Sequence, residues 1–80
     1  MEIKILAFGI ARDILGGSEL KISVPENLTV GRLLELLKER YPAFAGLTSL
    51  AIAVNAEYAN ENQAISAGDE IVIIPPVAGG

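Results

Sequence analysis

The chemistry legible in this 80-residue chain is concentrated in its last two residues, Gly79-Gly80, where a terminal carboxylate follows a backbone that carries no Cβ atoms. Glycine lets a chain thread a narrow channel without side-chain clashes or restriction of φ, so the pair reads as an end shaped to enter another protein's active site. The internal pair Gly16-Gly17 has no free carboxylate and reads as a turn. Side-chain chemistry is sparse: Cys and His are both absent. That removes disulfides, zinc–cysteine sites, thiol nucleophiles, the usual general base near neutral pH and the commonest metal ligand. Glu57, Glu61 and Glu70 have no spacing that forces them together, and Asn60-Glu61-Asn62 lacks the oxygen ligands of a calcium loop. The sequence therefore assigns no metal and no bound cofactor, and it points to a carrier or binding module in place of an autonomous enzyme.

Hydrophobic residues make up 51% of the chain and charged residues 20%, which is enough apolar side chain for one packed core and too much for disorder. Residues 1–80 are expected to form one domain. The net charge of −4 would repel a phosphate backbone, so nucleic acid is not an expected partner. No apolar run approaches the roughly 20 residues of a membrane helix. The start, Met1-Glu2-Ile3-Lys4, enters strand-like alternation without a basic leader, which gives an expected cytoplasmic location.

The elements that must position the tail follow from periodicity. Glu2 to Phe8 reads as a strand with Ile3 and Ile5 on one face and Leu6 and Phe8 on the other, followed by about one helical turn over residues 11–15. Leu20, Ile22 and Val24 share a face of a second strand that Pro25 ends. Thr29 is placed to cap a helix whose stripe is Val30, Leu33, Leu34, Leu37 and Tyr41, and Pro42 ends it near Arg40. A loop is expected from Ala43 to Ser49, then a strand from Leu50 to Asn55, a tight turn through Asn55-Ala56 and a short return strand. Gly68-Asp69 signals another turn, and Glu70 to Ile74 is a β-branched run expected to be buried on both faces. Pro75-Pro76 halts pairing, so residues 75–80 are expected to project as a flexible, extended tail. This order predicts an α+β fold, the ubiquitin-like β-grasp, in which a mixed sheet carries one main helix across a face.

The ending Ile73-Ile74-Pro75-Pro76-Val77-Ala78-Gly79-Gly80, preceded by Ala67-Gly68-Asp69-Glu70, resembles the small subunit of molybdopterin synthase, a ubiquitin-like sulfur carrier. Ala53-Val54-Asn55, Ile3-Lys4-Ile5-Leu6 and Arg12-Asp13 extend the resemblance over nearly the whole chain, the main helix matching only in pattern. A carboxylate is a poor reactant, and adenylation by ATP would give it a leaving group that sulfide or persulfide displaces, leaving a thiocarboxylate. The resemblance implies that Gly80 is the residue adenylated and thiolated, with ATP used by a ubiquitin-E1-like adenylyltransferase and sulfur supplied by a persulfide sulfurtransferase. It also implies that Pro75, Pro76, Val77, Ala78 and Gly79 thread the large synthase subunit, in a heterotetramer of two small and two large subunits. Sulfur would there reach a cyclic pterin monophosphate and form the molybdopterin dithiolene, catalytic side chains lying on the large subunit.

Phe8, Tyr58 and Ile74 are either core or an exposed patch that docks the partner, as equivalent positions do in the family, and Arg12 either joins that patch or is simply solvated. Three other readings stay open at this level: a carrier serving thiamin, cysteine or transfer-RNA thiolation, a ubiquitin-like modifier joined through Gly80 to lysine amines, and a plain β-grasp interaction domain.

Overall fold

Apolar side chains at every second position build strand β1 (Glu2–Ala7): Ile3, Ile5 and Ala7 are buried, while Glu2 and Lys4 face solvent. The computed structural model describes residues 1–47 and 50–75. In it β1 lies between β2 (Glu19–Ser23), antiparallel with Ile3 opposite Ile22, and β5 (Glu70–Ile74), parallel with Ile5 opposite Ile71. β3 (Ala51–Val54) flanks the other side of β5 antiparallel, with Ile52 opposite Ile73, and the two-residue β4 (Glu57–Tyr58) completes the order β2-β1-β5-β3-β4. β5, the strand that leads to the tail, is therefore the middle strand of a mixed sheet.

Helix α2 (Val30–Arg40) covers the inner face with Val30, Leu33 and Leu37, all at most 1% exposed. Its start is closely capped. Thr29 Oγ1 accepts from Arg32 N at 3.3 Å, and the N–H groups of Val30 and Gly31 donate to the carbonyls of Gln63 and Glu61, both at 2.9 Å. Three donors that a helix start leaves unpaired are thus satisfied within the chain. At the other end Tyr41 N donates to Leu37 O, and Pro42 opens a 3-10 helix, Pro42–Gly46.

That 3-10 helix falls where sequence reading expected a loop from Ala43 to Ser49, of which residues 48 and 49 lie outside the described ones. It exists because Phe44 is fully buried and packs edge-to-face on Tyr41, with ring centroids 6.1 Å apart. The first helix, α1 (Gly9–Leu15), likewise begins earlier than the single turn expected over residues 11–15. Gly16 closes it in the left-handed region at φ 80°, and Gly16 and Gly17 both donate to Arg12 O, as the turn reading of that pair required.

Asn55 fastens β5 at its first residue. Its side chain donates to Asp69 Oδ1 at 3.1 Å and accepts from Glu70 N at 3.0 Å, while its own N–H donates to Glu70 O. Asp69 Oδ2 in turn accepts from Ser66 N at 2.8 Å. The segments Ala53-Val54-Asn55 and Ala67-Gly68-Asp69-Glu70, distant in sequence, are therefore one hydrogen-bonded unit. Asn55 and Ala56 form the two-residue β3–β4 turn with φ of 52° and 70°, a pair of left-handed conformations that suits Asn and penalises Ala.

Two stability measurements test this account. Ala56→Gly relieves a left-handed alanine and is expected to stabilise the fold by about 1 kcal/mol, raising Tm by about 5 °C in a thermal melt. Asn55→Gly keeps the turn conformation but removes both side-chain hydrogen bonds, so it is expected to cost about 1–2 kcal/mol in urea unfolding. An unchanged midpoint for Asn55→Gly would show that the Asn55–Asp69 unit adds nothing to stability.

Candidate functional site

The sheet face turned away from α2 is sorted by register into a polar end and an apolar end. Residues directly opposite one another across the strands share a row and a face. One row runs Lys21, Lys4, Glu70, and the next runs Glu19, Leu6, Val72, Ala53, Tyr58. Ile74 lies opposite Ala51 in the row beyond, and Ala7 opposite Ile73 brings Phe8 to the level of Ile74. Because β1 and β5 run parallel, the chain leaves β5 through Pro75 at this apolar end.

Phe8 is 59% exposed and Tyr58 74% exposed, so neither belongs to the core. Ile74 is half-buried, as are Leu6 and Val72. The run from Glu70 to Ile74 is consequently not fully buried on both faces as its composition suggested: Ile71 and Ile73 enter the core, while Val72 and Ile74 are half-buried on the outer face, where the described residues form no second layer. Composition alone does not separate a covered outer face from an open one, since both favour β-branched residues. The structure thus brings Phe8, Ile74 and Tyr58 onto one apolar surface. It places Arg12 off that surface, exposed in the last turn of α1, and the one ion pair among the described residues, Arg32–Glu35, is on α2.

Sequence reading did not name Val72, Ala51 or Ala53 for this surface. The signal was present in the strict alternation of β5 with the buried Ile71 and Ile73. Gly80, Gly79, Ala78, Val77 and Pro76, expected to carry the tail chemistry, lie outside the described residues, and Pro75 is half-buried at the end of β5. At the opposite, polar end an open depression of ≈ 310 Å³ is lined by Glu2, Ile3, Lys4, Lys21, Gly68, Asp69 and Glu70, and none of the expected site residues reaches it. Among the described residues no three of His, Cys, Asp and Glu are grouped to hold a metal, and no helix is long and apolar enough to cross a membrane.

An apolar patch beside the exit of a Gly-Gly tail suits a protein that is gripped on one face while its end enters a partner. A sequence model of the ThiS family matches residues 5–80. The molybdopterin synthase sulfur carrier subunit of Dictyostelium discoideum is 36% identical over 83 residues, covering 99% of this chain and 96% of that protein. The subunit of the same name from Arabidopsis thaliana is 33% identical over 81 residues, covering 100% of this chain and 84% of that protein.

Among solved structures, the putative molybdopterin converting factor subunit 1 of Pyrococcus furiosus superposes with a TM-score of 0.86 at 28% identity, covering 96% of this chain and 99% of that one. The complex of subunits 1 and 2 of the Helicobacter pylori molybdopterin-converting factor matches with a TM-score of 0.67 at 30% identity, with full coverage of both chains. Small archaeal modifier protein 1 of Haloferax volcanii matches with a TM-score of 0.80 at 25% identity, covering 95% of this chain and 98% of that one. With the fold, the outer face and these likenesses in agreement, the chain belongs to the ThiS family and is similar end to end to molybdopterin synthase sulfur carrier subunits.

Proposed function

We propose that this chain is the sulfur carrier of a molybdopterin synthase and that Gly80 is the atom-carrying end. The observation that carries the reading is the end-to-end likeness to sulfur carrier subunits, in a chain whose central strand runs out into Pro-Pro-Val-Ala-Gly-Gly. In the first step a Gly80 carboxylate oxygen attacks the α-phosphorus of ATP on an E1-like adenylyltransferase, and pyrophosphate leaves. A sulfur nucleophile then attacks the acyl carbon and AMP leaves. Where that sulfur arrives as a persulfide, the product is an acyl disulfide, and a second thiol attacks the donor's sulfur, forming a disulfide there as the thiocarboxylate leaves.

The tail next enters the large subunit of the synthase, whose side chains perform the catalysis. There the thiocarboxylate sulfur attacks a carbon of the cyclic pterin precursor, a C–S bond forming as an oxygen substituent leaves that carbon, and water splits the acyl–sulfur bond to return the Gly80 carboxylate. A dithiolene holds two sulfurs, so two charged carriers act for each product. Nothing in this sequence calls for a cofactor bound to the carrier itself, because ATP and the pterin are both held by partners.

The outer face supplies the grip. Phe8, Tyr58 and Ile74 stand on the tail-exit half of the sheet, where a partner that swallows residues 76–80 must come against them. Arg12 is exposed on α1, outside the apolar patch, and in this reading it would add a charged contact at the edge of the partner's footprint. A cytoplasmic setting follows for a protein of this kind that works with ATP.

A second reading is favoured by the likeness to small archaeal modifier protein 1. In it the same acyl adenylate, or an ester derived from it, is attacked by a lysine amine of a target protein and forms an isopeptide bond. Both readings share the activation step and diverge only in the nucleophile.

Incubation with the activating enzyme, ATP and a sulfur donor is expected to exchange one oxygen for sulfur at Gly80, seen by intact and fragment mass spectrometry. A residue appended after Gly80 abolishes the exchange. No exchange with an enzyme of proven activity removes the sulfur-carrier reading, and higher-mass covalent adducts dependent on Gly80 would favour the modifier reading. Phe8→Ser and Tyr58→Ser are each expected to weaken binding to the large subunit by about tenfold, on the order of 1.4 kcal/mol, with Tm unchanged because both side chains are exposed. Equal affinity for wild type and both variants would take the partner off this face.

A further inference from the structure

Among the described residues three large apolar side chains are exposed, and two of them, Phe8 and Tyr58, belong to the outer face of the sheet. The third is Ile10, 47% exposed in the first turn of α1. Helix α1 does not need it for packing: Ala11 is fully buried against the core, and Ile14 and Leu15 pack partly against it. Ile10 stands two residues from Phe8, and the residue between them is Gly9, with φ of 57°. That left-handed conformation is where the chain leaves the extended path of β1 and enters the helix. A Cβ built on Gly9 would meet nothing within 4 Å, so the backbone between the two apolar side chains is open to solvent.

The position of this corner is set by the sheet. Ala7 pairs with Ile73, which puts Phe8 and Ile10 at the end of the sheet where the chain departs through Pro75. Five residues follow Pro75 in the sequence, and covalent geometry limits their span to roughly 17 Å. A partner whose active site receives Gly80 must therefore bring that site within this distance of Pro75, at the end of the sheet where the corner lies. An interface of ordinary size, about 800 Å² on each side, is roughly 30 Å across. A footprint that covers Phe8 and the tail exit extends over Ile10 as well.

We infer that the Phe8-Gly9-Ile10 corner is an apolar hook that carries the docking face off the sheet and onto α1, and that the large subunit presents an apolar recess to it beside the channel that admits the tail. This rests on the carrier reading above. Phe8 fills the side of the recess over the sheet, Ile10 fills the side over α1, and the bare backbone of Gly9 lets the rim of the recess come close between them. Ile10 is then a determinant of which partner is accepted, since a surface with a polar or filled site at that point would leave half of the hook exposed.

The test measures the affinity of wild type, Ile10→Ser, Phe8→Ser and the opposite-face control Glu39→Ser for the purified large subunit by titration calorimetry, with sedimentation of each carrier alone. Ile10→Ser is expected to raise Kd about tenfold, the effect of losing roughly half an isoleucine's burial together with its fit, and to make the heat-capacity change of binding less negative. Glu39→Ser should bind as wild type, and all four proteins should melt alike. Gly9→Ala, strained at its φ, serves as a second variant: a rise in Kd beyond any fall in Tm supports the close approach at that backbone. Ile10→Ser with wild-type affinity while Phe8→Ser binds weakly overturns the hook and leaves the carrier reading standing. Wild type that fails to bind an active large subunit overturns both. A wild-type homodimer that Ile10→Ser dissolves assigns the corner to a second copy and likewise overturns the inference.

Discussion

Strand β5 has a neighbour on each side, β1 in parallel and β3 in antiparallel register, and it must satisfy both while also leading the chain out of the sheet through Pro75. Most of the molecule can be read as the consequence. Ile71 and Ile73 pin its inner side into the core beneath α2, and its start is fixed by Asn55 and Asp69. A slip of two residues in one direction would bury Asp69 in place of Ile71. A slip in the other would carry Pro75, which has no N–H, into the ladder. The point at which the chain leaves the sheet is therefore fixed by the cost of both alternatives.

The second face of β5 shows the opposite solution. Val72 and Ile74 are large and apolar, yet among the described residues no second layer lies over them; they and Leu6 are half-buried, and Phe8 and Tyr58 beside them are exposed. Leaving such side chains in water contributes nothing to folding, which is already served by the cluster on the inner face. Their retention fits a protein whose outer layer is another protein, present for part of a reaction cycle and then released. Charged residues at the far end of the same face, Lys4, Lys21, Glu2 and Glu70, keep that surface from being apolar throughout.

Sequence reading recovers much of this, and its misses have identifiable causes. Helix α2 was legible end to end because Thr29 caps it, the stripe of Val30, Leu33 and Leu37 repeats at helical spacing, and Pro42 stops it. The tight turn at Asn55 and the five strands were visible through alternation and turn residues. The 3-10 helix around Phe44 was not, because one aromatic in a stretch of small residues has no period, and only its burial under the helix end reveals why the segment is ordered. The link between Asn55 and Asp69 was hidden for another reason: a hydrogen bond across 14 positions leaves no local pattern. At the candidate site, Phe8 and Tyr58 were identified as residues, but whether they face the core or the solvent depends on which strand lies beside them. Ile10 was invisible because its exposure depends on the turn at Gly9.

The parallel pairing of β1 with β5 has a mechanical side. Tension applied to the tail acts along β5, and the hydrogen bonds that hold it to β1 and β3 lie across that direction. They are loaded together in shear, in contrast to a hairpin peeled from its end, where each bond fails in turn. A machine that seized this protein by its Gly-Gly end and pulled would load both ladders of β5 at once. The C-terminal side of β5 is thus an end at which the fold resists unravelling bond by bond.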